Sequence, residues 1–123
     1  MNAQEFGQQG EERAAQYLAA LGYTIVTRNY RAQRGELDIV AQDGQILVFV
    51  EVKSRRGSAH GSPAEAVTLA KQKLCIRTAL HYMQQNNALE DEVRFDVVEV
   101  RFAQGTWQLS HIINAFIYEA SHQ

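Results

Sequence analysis

The dipeptide Asp43-Gly44 constrains the fold of this chain more than any other local feature, because it joins two segments rich in aliphatic and β-branched residues. Such a pair between two β-like segments favours a two-residue hairpin with a type I′ turn, in which both loop residues have positive φ. A loop of this length also fixes how the flanking strands pair. The predicted partners are Gln42 with Gln45, Val40 with Leu47, Asp38 with Phe49, and Glu36 with Glu51.

This register predicts which side chains share a face of the sheet, because side chains alternate along a strand. The polar face holds Glu36, Asp38, Glu51 and Lys53, and the apolar face holds Leu37, Ile39, Val48, Val50 and Val52. Asp38 and Glu51 become diagonal neighbours, roughly 7 Å apart at the backbone. Two carboxylates at that spacing are within reach of one shared cation.

A divalent cation would relieve the repulsion between these carboxylates, which grows if they are partly buried. Magnesium takes oxygen ligands and keeps several waters, so Asp38 and Glu51 are candidate ligands for Mg²⁺ or Mn²⁺. An ion held there can lower the pKa of a water and orient it toward a phosphodiester. Lys53 adds a positive charge that can position or deprotonate this water, or stabilise negative charge around phosphorus.

The same residues also have plainer interpretations. Glu51 and Lys53 can form an ordinary ion pair on a solvated edge, with Asp38 an acid near a turn. Glu11 shares a helical stripe with Ala14 and Leu18, which predicts an inward-facing carboxylate that a metal-bound water would satisfy. An acid near a helix N-terminus is also favoured by the helix dipole alone. Both interpretations stay open at this point.

The order of the predicted elements indicates an α/β fold. A helix over residues 4–21, capped by Gly22, precedes strands over residues 24–31, 36–41 and 45–53. A loop over residues 55–62 leads to a second helix, with Pro63 in its first turn, that runs to about residue 85. A late hairpin joins residues 93–102 to 107–110 across Gln104 and Gly105, and the type of the tail from His111 onward stays open. We therefore expect a single domain over residues 1–123, with helices flanking one mixed central sheet.

Composition narrows the classes of function. The chain is 46% apolar and 21% charged, as is usual for soluble globular domains. Its N-terminus lacks the apolar core of a signal peptide and no run reaches membrane-spanning length, so the cytoplasm is the expected compartment. Cys75 is the single cysteine, which excludes an intramolecular disulfide or a thiolate metal cluster and favours a buried helical thiol.

Charge is distributed unevenly along the chain. The formal net charge of −2 argues against coating nucleic acid through bulk electrostatics, yet local clusters can still neutralise phosphates. Three groups stand out: Arg28, Arg31 and Arg34; Lys53, Arg55 and Arg56; and Lys71, Lys73 and Arg77. We interpret Arg55, Arg56, Lys71, Lys73 and Arg77 as candidate nucleic-acid-binding residues.

Three longer motifs carry a resemblance to a known family. They are Gly7-Gln-Gln-Gly-Glu11 in the first helix, Gly35-Glu-Leu-Asp-Ile-Val40 in the second strand, and Phe49-Val-Glu-Val-Lys-Ser-Arg55 in the third. Together with Lys71, Lys73 and the late segment Arg94-Phe-Asp-Val-Val98, they make the chain similar, nearly end to end, to the YraN-like family of bacterial proteins. That family resembles a branch of the PD-(D/E)xK nuclease superfamily close to the archaeal Holliday-junction resolvases.

The resemblance implies a restriction-endonuclease-like fold and a magnesium-dependent endonuclease that hydrolyses phosphodiester bonds of DNA, with branched or damaged DNA as candidate substrates. Asp38 corresponds to the motif aspartate, Glu51 and Lys53 to the ExK half, and Glu11 to the acid from the first helix. No proline precedes Asp38, as one does in many nucleases of the class, and Glu36 stands nearby instead. Because the resolvases act as dimers, a homodimer is also implied.

Two other functions fit the sequence. One is a nucleic-acid-binding module without catalytic turnover, in which the basic clusters contact phosphates and the carboxylates have no catalytic role. The other is an interaction protein whose sheet edge or apolar tail forms a dimer or docks a partner. That tail contains Ile112, Ile113, Phe116 and Ile117.

Overall fold

The computed structural model describes residues 1–57 and 67–117. The elements follow the order α1 (Ala3–Ala20), β1 (Thr24–Ala32), β2 (Gly35–Asp43), β3 (Ile46–Arg56), α2 (Leu69–Gln85), β4 (Val93–Ala103) and β5 (Thr106–Phe116). The five strands form one sheet in chain order, and every neighbouring pair is antiparallel except β3 and β4. A parallel pair needs a crossover connection, and α2 lies within the one that joins β3 to β4. The predicted α/β class with a mixed sheet is confirmed and is consistent with a restriction-endonuclease-like fold.

The two helices cover opposite faces of this sheet. Helix α1 packs on an apolar cluster that contains Ala14, Leu18, Ile39, Ala41, Val48, Val50, Val98 and Val100. Helix α2 packs on the other cluster, which contains Leu37, Val40, Leu47, Phe49, Cys75, Ala79, Phe95 and Val97. Neither of these two helices has the length and apolar character needed to cross a membrane.

The ends of the helices follow local rules. Helix α1 ends in a Schellman motif, in which Gly22 has a φ of 99° and its N–H donates to the Ala19 carbonyl, while the Tyr23 N–H donates to the Leu18 carbonyl. This confirms the predicted cap. Helix α2 begins at Leu69 after Thr68, whose hydroxyl accepts from the Lys71 N–H at 3.2 Å. The prediction that Pro63 lies in the first turn of this helix was wrong, because α2 begins six residues later at Leu69. Pro63 itself lies outside the described residues.

The assignment of Arg55 and Arg56 to a loop was wrong. Both belong to β3, where they pair with Arg101 and Phe102 of the parallel strand β4. The charged side chains suggested a loop, but the neighbouring strand supplies backbone partners that extend the strand. The remainder of that predicted loop, residues 58–62, lies outside the described residues.

The predicted turn at Asp43 and Gly44 was also wrong by one residue. Asp43 pairs with Ile46, so the loop is Gly44 and Gln45, and Gly44 alone of these has a positive φ, 60°. A glycine at the first loop position suits a type II′ turn. Asp43 stays in the strand, where its carboxylate accepts from Arg94 at 3.1 Å. Each β2 residue therefore pairs two positions further along β3 than predicted. Because this shift is an even number of residues, each paired side chain still faces the side of the sheet that the pairing predicted for it.

The late hairpin matches its prediction. Gln104 and Gly105 form the loop with φ values of 53° and 77°, as a type I′ turn requires. Strand β5 continues to Phe116, well beyond the predicted end at Ser110. The tail left open in the sequence is therefore strand as far as that residue.

Candidate active site

Strands β2 and β3 separate at the predicted motif aspartate. Their regular pairing runs from Asp43 with Ile46 to Ile39 with Val50. Ile39 packs under α1, whereas Leu37, two residues earlier, packs on the α2 side, so the chain turns at Asp38. The prediction that Leu37 shares a face with Ile39 was wrong for this reason. At the turn, the Asp38 carboxylate accepts the Val52 N–H at 2.8 Å.

Glu51 lies beside Asp38 and is almost fully buried, with 5% of its surface exposed. Extending the observed register by one pair sets these two residues opposite each other, not diagonally as predicted. Burial, followed by the negative charge of Asp38, raises the pKa of Glu51 to about 8. Burial also raises the pKa of Asp38, although its hydrogen bond from Val52 opposes this. Near neutral pH, Glu51 therefore holds a proton that it donates to Asp38.

Helix α2 surrounds the Glu51 carboxyl with two further groups. Lys71 places its Nζ 3.8 Å from Glu51 Oε2, and the Cys75 thiol lies against the same carboxyl four residues later on the helix. Cys75 is 2% exposed, as the sequence suggested, and burial raises its pKa to about 12. Glu51 Oε1 is buried and has no hydrogen-bond partner among the described residues. One carboxyl oxygen at the centre of this cluster is thus left unsatisfied.

Helix α1 supplies the third acid. Gly10 lies so close to Ser54 of β3 that a side chain there would collide with the serine hydroxyl, and this contact brings Glu11 over the sheet. The Glu11 side chain is 17% exposed, and its Oε1 lies 3.5 Å from Arg28. Burial and then the charge of Asp38 raise the pKa of Glu11. The negative charges of Glu11 and Asp38 are therefore close enough to repel each other.

A cleft of about 540 Å³ opens between α1, β1 and the end of β3. Its lining includes Glu11, Arg28, Arg31, Asp38 and Lys53. Lys53 forms no ion pair within the described part of the chain. The positively charged side chain beside Glu51 belongs to Lys71 instead. The sequence interpretation placed Arg28 in a basic cluster but gave it no role at the site. The pairing of Arg28 with Ile39, next to Asp38, is the feature that places it there.

The other predicted polar residues occupy different surroundings. Arg55 lies 3.6 Å from Glu99, and Arg56 stacks over the Phe6 ring at 4.0 Å. Lys73 and Arg77 are exposed on α2. Glu36 pairs with Arg31 at 2.9 Å, and it affects Asp38 through its charge. The five predicted nucleic-acid-binding residues therefore do not share one environment.

The donor set fits a hard cation held by two carboxylates. Among the described residues, no three His, Cys, Asp or Glu side chains converge closely enough to enclose a metal ion alone. Asp38 and Glu51 nonetheless share a hydrogen bond, have raised pKa values and leave one buried oxygen unsatisfied. Magnesium keeps several waters and needs only one or two protein carboxylates, so this pair is sufficient. Glu11 would reach such an ion through a water.

A comparison with protein families matches residues 10–100 of the chain to the family described as uncharacterised protein family UPF0102. The matched interval includes the four predicted site residues Glu11, Asp38, Glu51 and Lys53. This chain belongs to the UPF0102 family. It is 52% identical to a UPF0102 protein of Symbiobacterium thermophilum over 76% of this chain and 80% of that protein. A UPF0102 protein of Rhodococcus jostii is 45% identical over 89% of this chain and 94% of its own length. The UPF0102 assignment confirms the resemblance to the YraN-like proteins.

Proposed function

We propose that this UPF0102 protein is a metal-dependent nuclease that hydrolyses phosphodiester bonds of DNA. The observation that carries the proposal is the carboxyl pair of Asp38 and Glu51, which meets where β2 and β3 separate. One buried oxygen of this pair has no hydrogen-bond partner within residues 1–57 and 67–117. A pair that serves only the fold would be expected to have its hydrogen bonds satisfied. Carboxyl groups with raised pKa values at an open cleft, as Glu11 and Asp38 are, are typical of functional sites.

In this proposal Asp38 and Glu51 hold Mg²⁺ or Mn²⁺, and Glu11 contacts the ion through a water. The bound ion supplies a water of lowered pKa and stabilises negative charge on the reacting phosphate. Glu51 has to release its proton when the ion binds, because a charged carboxylate is the better ligand. Lys71 is close enough to stabilise the ionised form.

The lining of the cleft fits a phosphodiester backbone as the substrate. Arg28, Arg31 and Lys53 line the cleft together with Glu11 and Asp38, although the whole chain carries a formal charge of −2. Lys53 has no carboxylate partner within the described residues and is therefore available to a phosphate oxygen. Arg28 holds Glu11 at 3.5 Å, which orients that acid toward the cleft. Branched and damaged DNA are the substrate structures that we propose to test first.

The test compares four proteins on fluorescent single-stranded, duplex and four-way DNA, with Mg²⁺, Mn²⁺ or a chelator. We expect the wild type and the exposed control Glu90→Gln to cut DNA only when metal is present. Asp38→Asn and Glu51→Gln should lose cleavage, and Glu51→Gln should keep its affinity for DNA. Calorimetry with Mn²⁺ should give binding heat that disappears in Asp38→Asn.

Other outcomes would overturn the proposal. Salt-dependent DNA binding without cleavage in any metal, unchanged by Glu51→Gln, would identify a nucleic-acid-binding module without turnover. Absence of Mn²⁺ binding to the wild type would exclude the metal site itself. Cleavage that survives in Asp38→Asn would place the chemistry elsewhere in the chain.

A further inference from the structure

A second cavity, of about 260 Å³, lies between α2 and the turn that joins β1 to β2. Its lining includes Gln33, Arg34, Arg77, Thr78 and His81. We propose that this cavity binds one phosphate group of the DNA backbone at a fixed distance from the bond that is cut. This inference rests on the proposed nuclease function, and we call the cavity the α2 pocket.

The charges of the α2 pocket favour an anionic ligand. None of the described residues that line it is acidic, and Arg34 and Arg77 are both exposed. Within residues 1–57 and 67–117, neither arginine forms a salt bridge or a hydrogen bond, whereas Arg28 and Arg31 are each paired with a glutamate. Two guanidinium groups that have no partner in the described part of the chain, both at one cavity, suit a phosphate, whose oxygens accept their paired N–H donors.

The backbone around the pocket holds these groups in place. Gly35 packs so tightly against α2 that a side chain at position 35 would collide with the Thr78 hydroxyl and crowd the Leu74 side chain. This contact keeps the turn that contains Arg34 beside the helix that contains Arg77. Nδ1 of His81 lies 2.6 Å from the Tyr30 hydroxyl. When Tyr30 donates to Nδ1, Nε2 carries the ring proton and becomes a third donor at the pocket.

The distance from the α2 pocket to the carboxyl pair of Asp38 and Glu51 can be estimated along α2 and along β2. Arg77 follows Lys71 by six residues, which is about 9 Å along a helix. Gly35 precedes Asp38 by three residues, which is about 10 Å along a strand. The α2 pocket would therefore hold a phosphate within a few nucleotides of the scissile bond.

The test measures binding of duplex DNA by fluorescence anisotropy in the non-cutting Glu51→Gln background. Arg77→Ala is compared with Lys73→Ala, which removes the same charge from an exposed position of the same helix outside the pocket. Arg77→Ala should weaken binding, and Arg34→Ala combined with Arg77→Ala should remove the whole phosphate contact. That loss should weaken Kd roughly fivefold at about 0.15 M salt and reduce the salt slope by about 0.9, not by twice that amount, because both arginines contact one phosphate. Thermal melting checks that each variant is folded.

A series of duplexes with one neutral methylphosphonate then locates the contact. We expect one position, within a few nucleotides of the cut, at which the Glu51→Gln protein loses affinity and the double arginine variant loses none. A loss at that position that is as large in the double arginine variant as in the Glu51→Gln protein would overturn the α2 pocket, even if the wild type cuts DNA. An arginine-dependent contact in a protein that never cuts DNA would support phosphate binding at the α2 pocket and overturn the proposed nuclease function. The same dependence seen only with an RNA duplex would overturn the assignment to DNA.

Discussion

Replacement of Glu51 by glutamine should stabilise the metal-free protein at alkaline pH and change its stability little near pH 5. Burial and the charge of Asp38 raise the pKa of Glu51 from its ordinary value of 4.5 to about 8. The folded state therefore keeps a proton that the unfolded state releases. The stability from this group is fully present below about pH 4.5 and is lost as the pH rises through about 8.

The magnitude follows from the interval between the two pKa values. Each pH unit of that interval corresponds to about 1.4 kcal/mol, so the complete interval gives an upper limit of roughly 5 kcal/mol. Glutamine has no proton to release and removes this contribution. The difference in free energy of unfolding between Glu51→Gln and the wild type should therefore increase with pH and level off above about pH 8.

Urea denaturation with a chelator present, at a series of pH values from about 5 to about 9, measures this difference. Glu90→Gln is the matched control, since Glu90 is exposed, and its stability should follow the wild type at every pH. Parallel curves for the wild type and Glu51→Gln would refute the argument. That result would mean that Glu51 is ionised in the folded state at ordinary pH.

Three further predictions concern the surroundings of the site. Lys71→Met should move the pH range of the wild-type stability loss upward in the same urea series, because the ammonium lowers the pKa values of Glu51 and Asp38. Asp96→Ala should lower the free energy of unfolding, measured by urea denaturation, by roughly 3 to 5 kcal/mol. The reason is that the fully buried Asp96 accepts two hydrogen bonds from Arg94. A loss below about 1 kcal/mol would contradict this prediction. Gly10→Ala should cost roughly 1 to 3 kcal/mol in thermal melts, and added Ser54→Gly should restore part of it, because the new methyl group meets the Ser54 side chain. No rescue would show that the helix, not Ser54, limits the space.

The sequence by itself determined the features that depend on neighbouring residues. The cap at Gly22 and the turn at Gln104 and Gly105 require positive φ, and the glycines at positions 22 and 105 supply it without steric cost. The element order and the mixed sheet also followed from apolar periodicity and turn residues. The presence of Asp38 and Glu51 on adjacent strands could be predicted because those strands are joined by a short turn.

Only the tertiary structure decided the register of that hairpin and the state of its acids. Arg94, 51 residues away from Asp43, holds Asp43 in the strand and moves the turn by one residue. Lys71 and Cys75 reach Glu51 because α2 folds back over β3, and that burial raises the pKa of the carboxyl. A turn or a cap depends on backbone conformation within a few residues. Burial, ion pairing and the close approach of like charges depend on segments that meet only when the chain has folded.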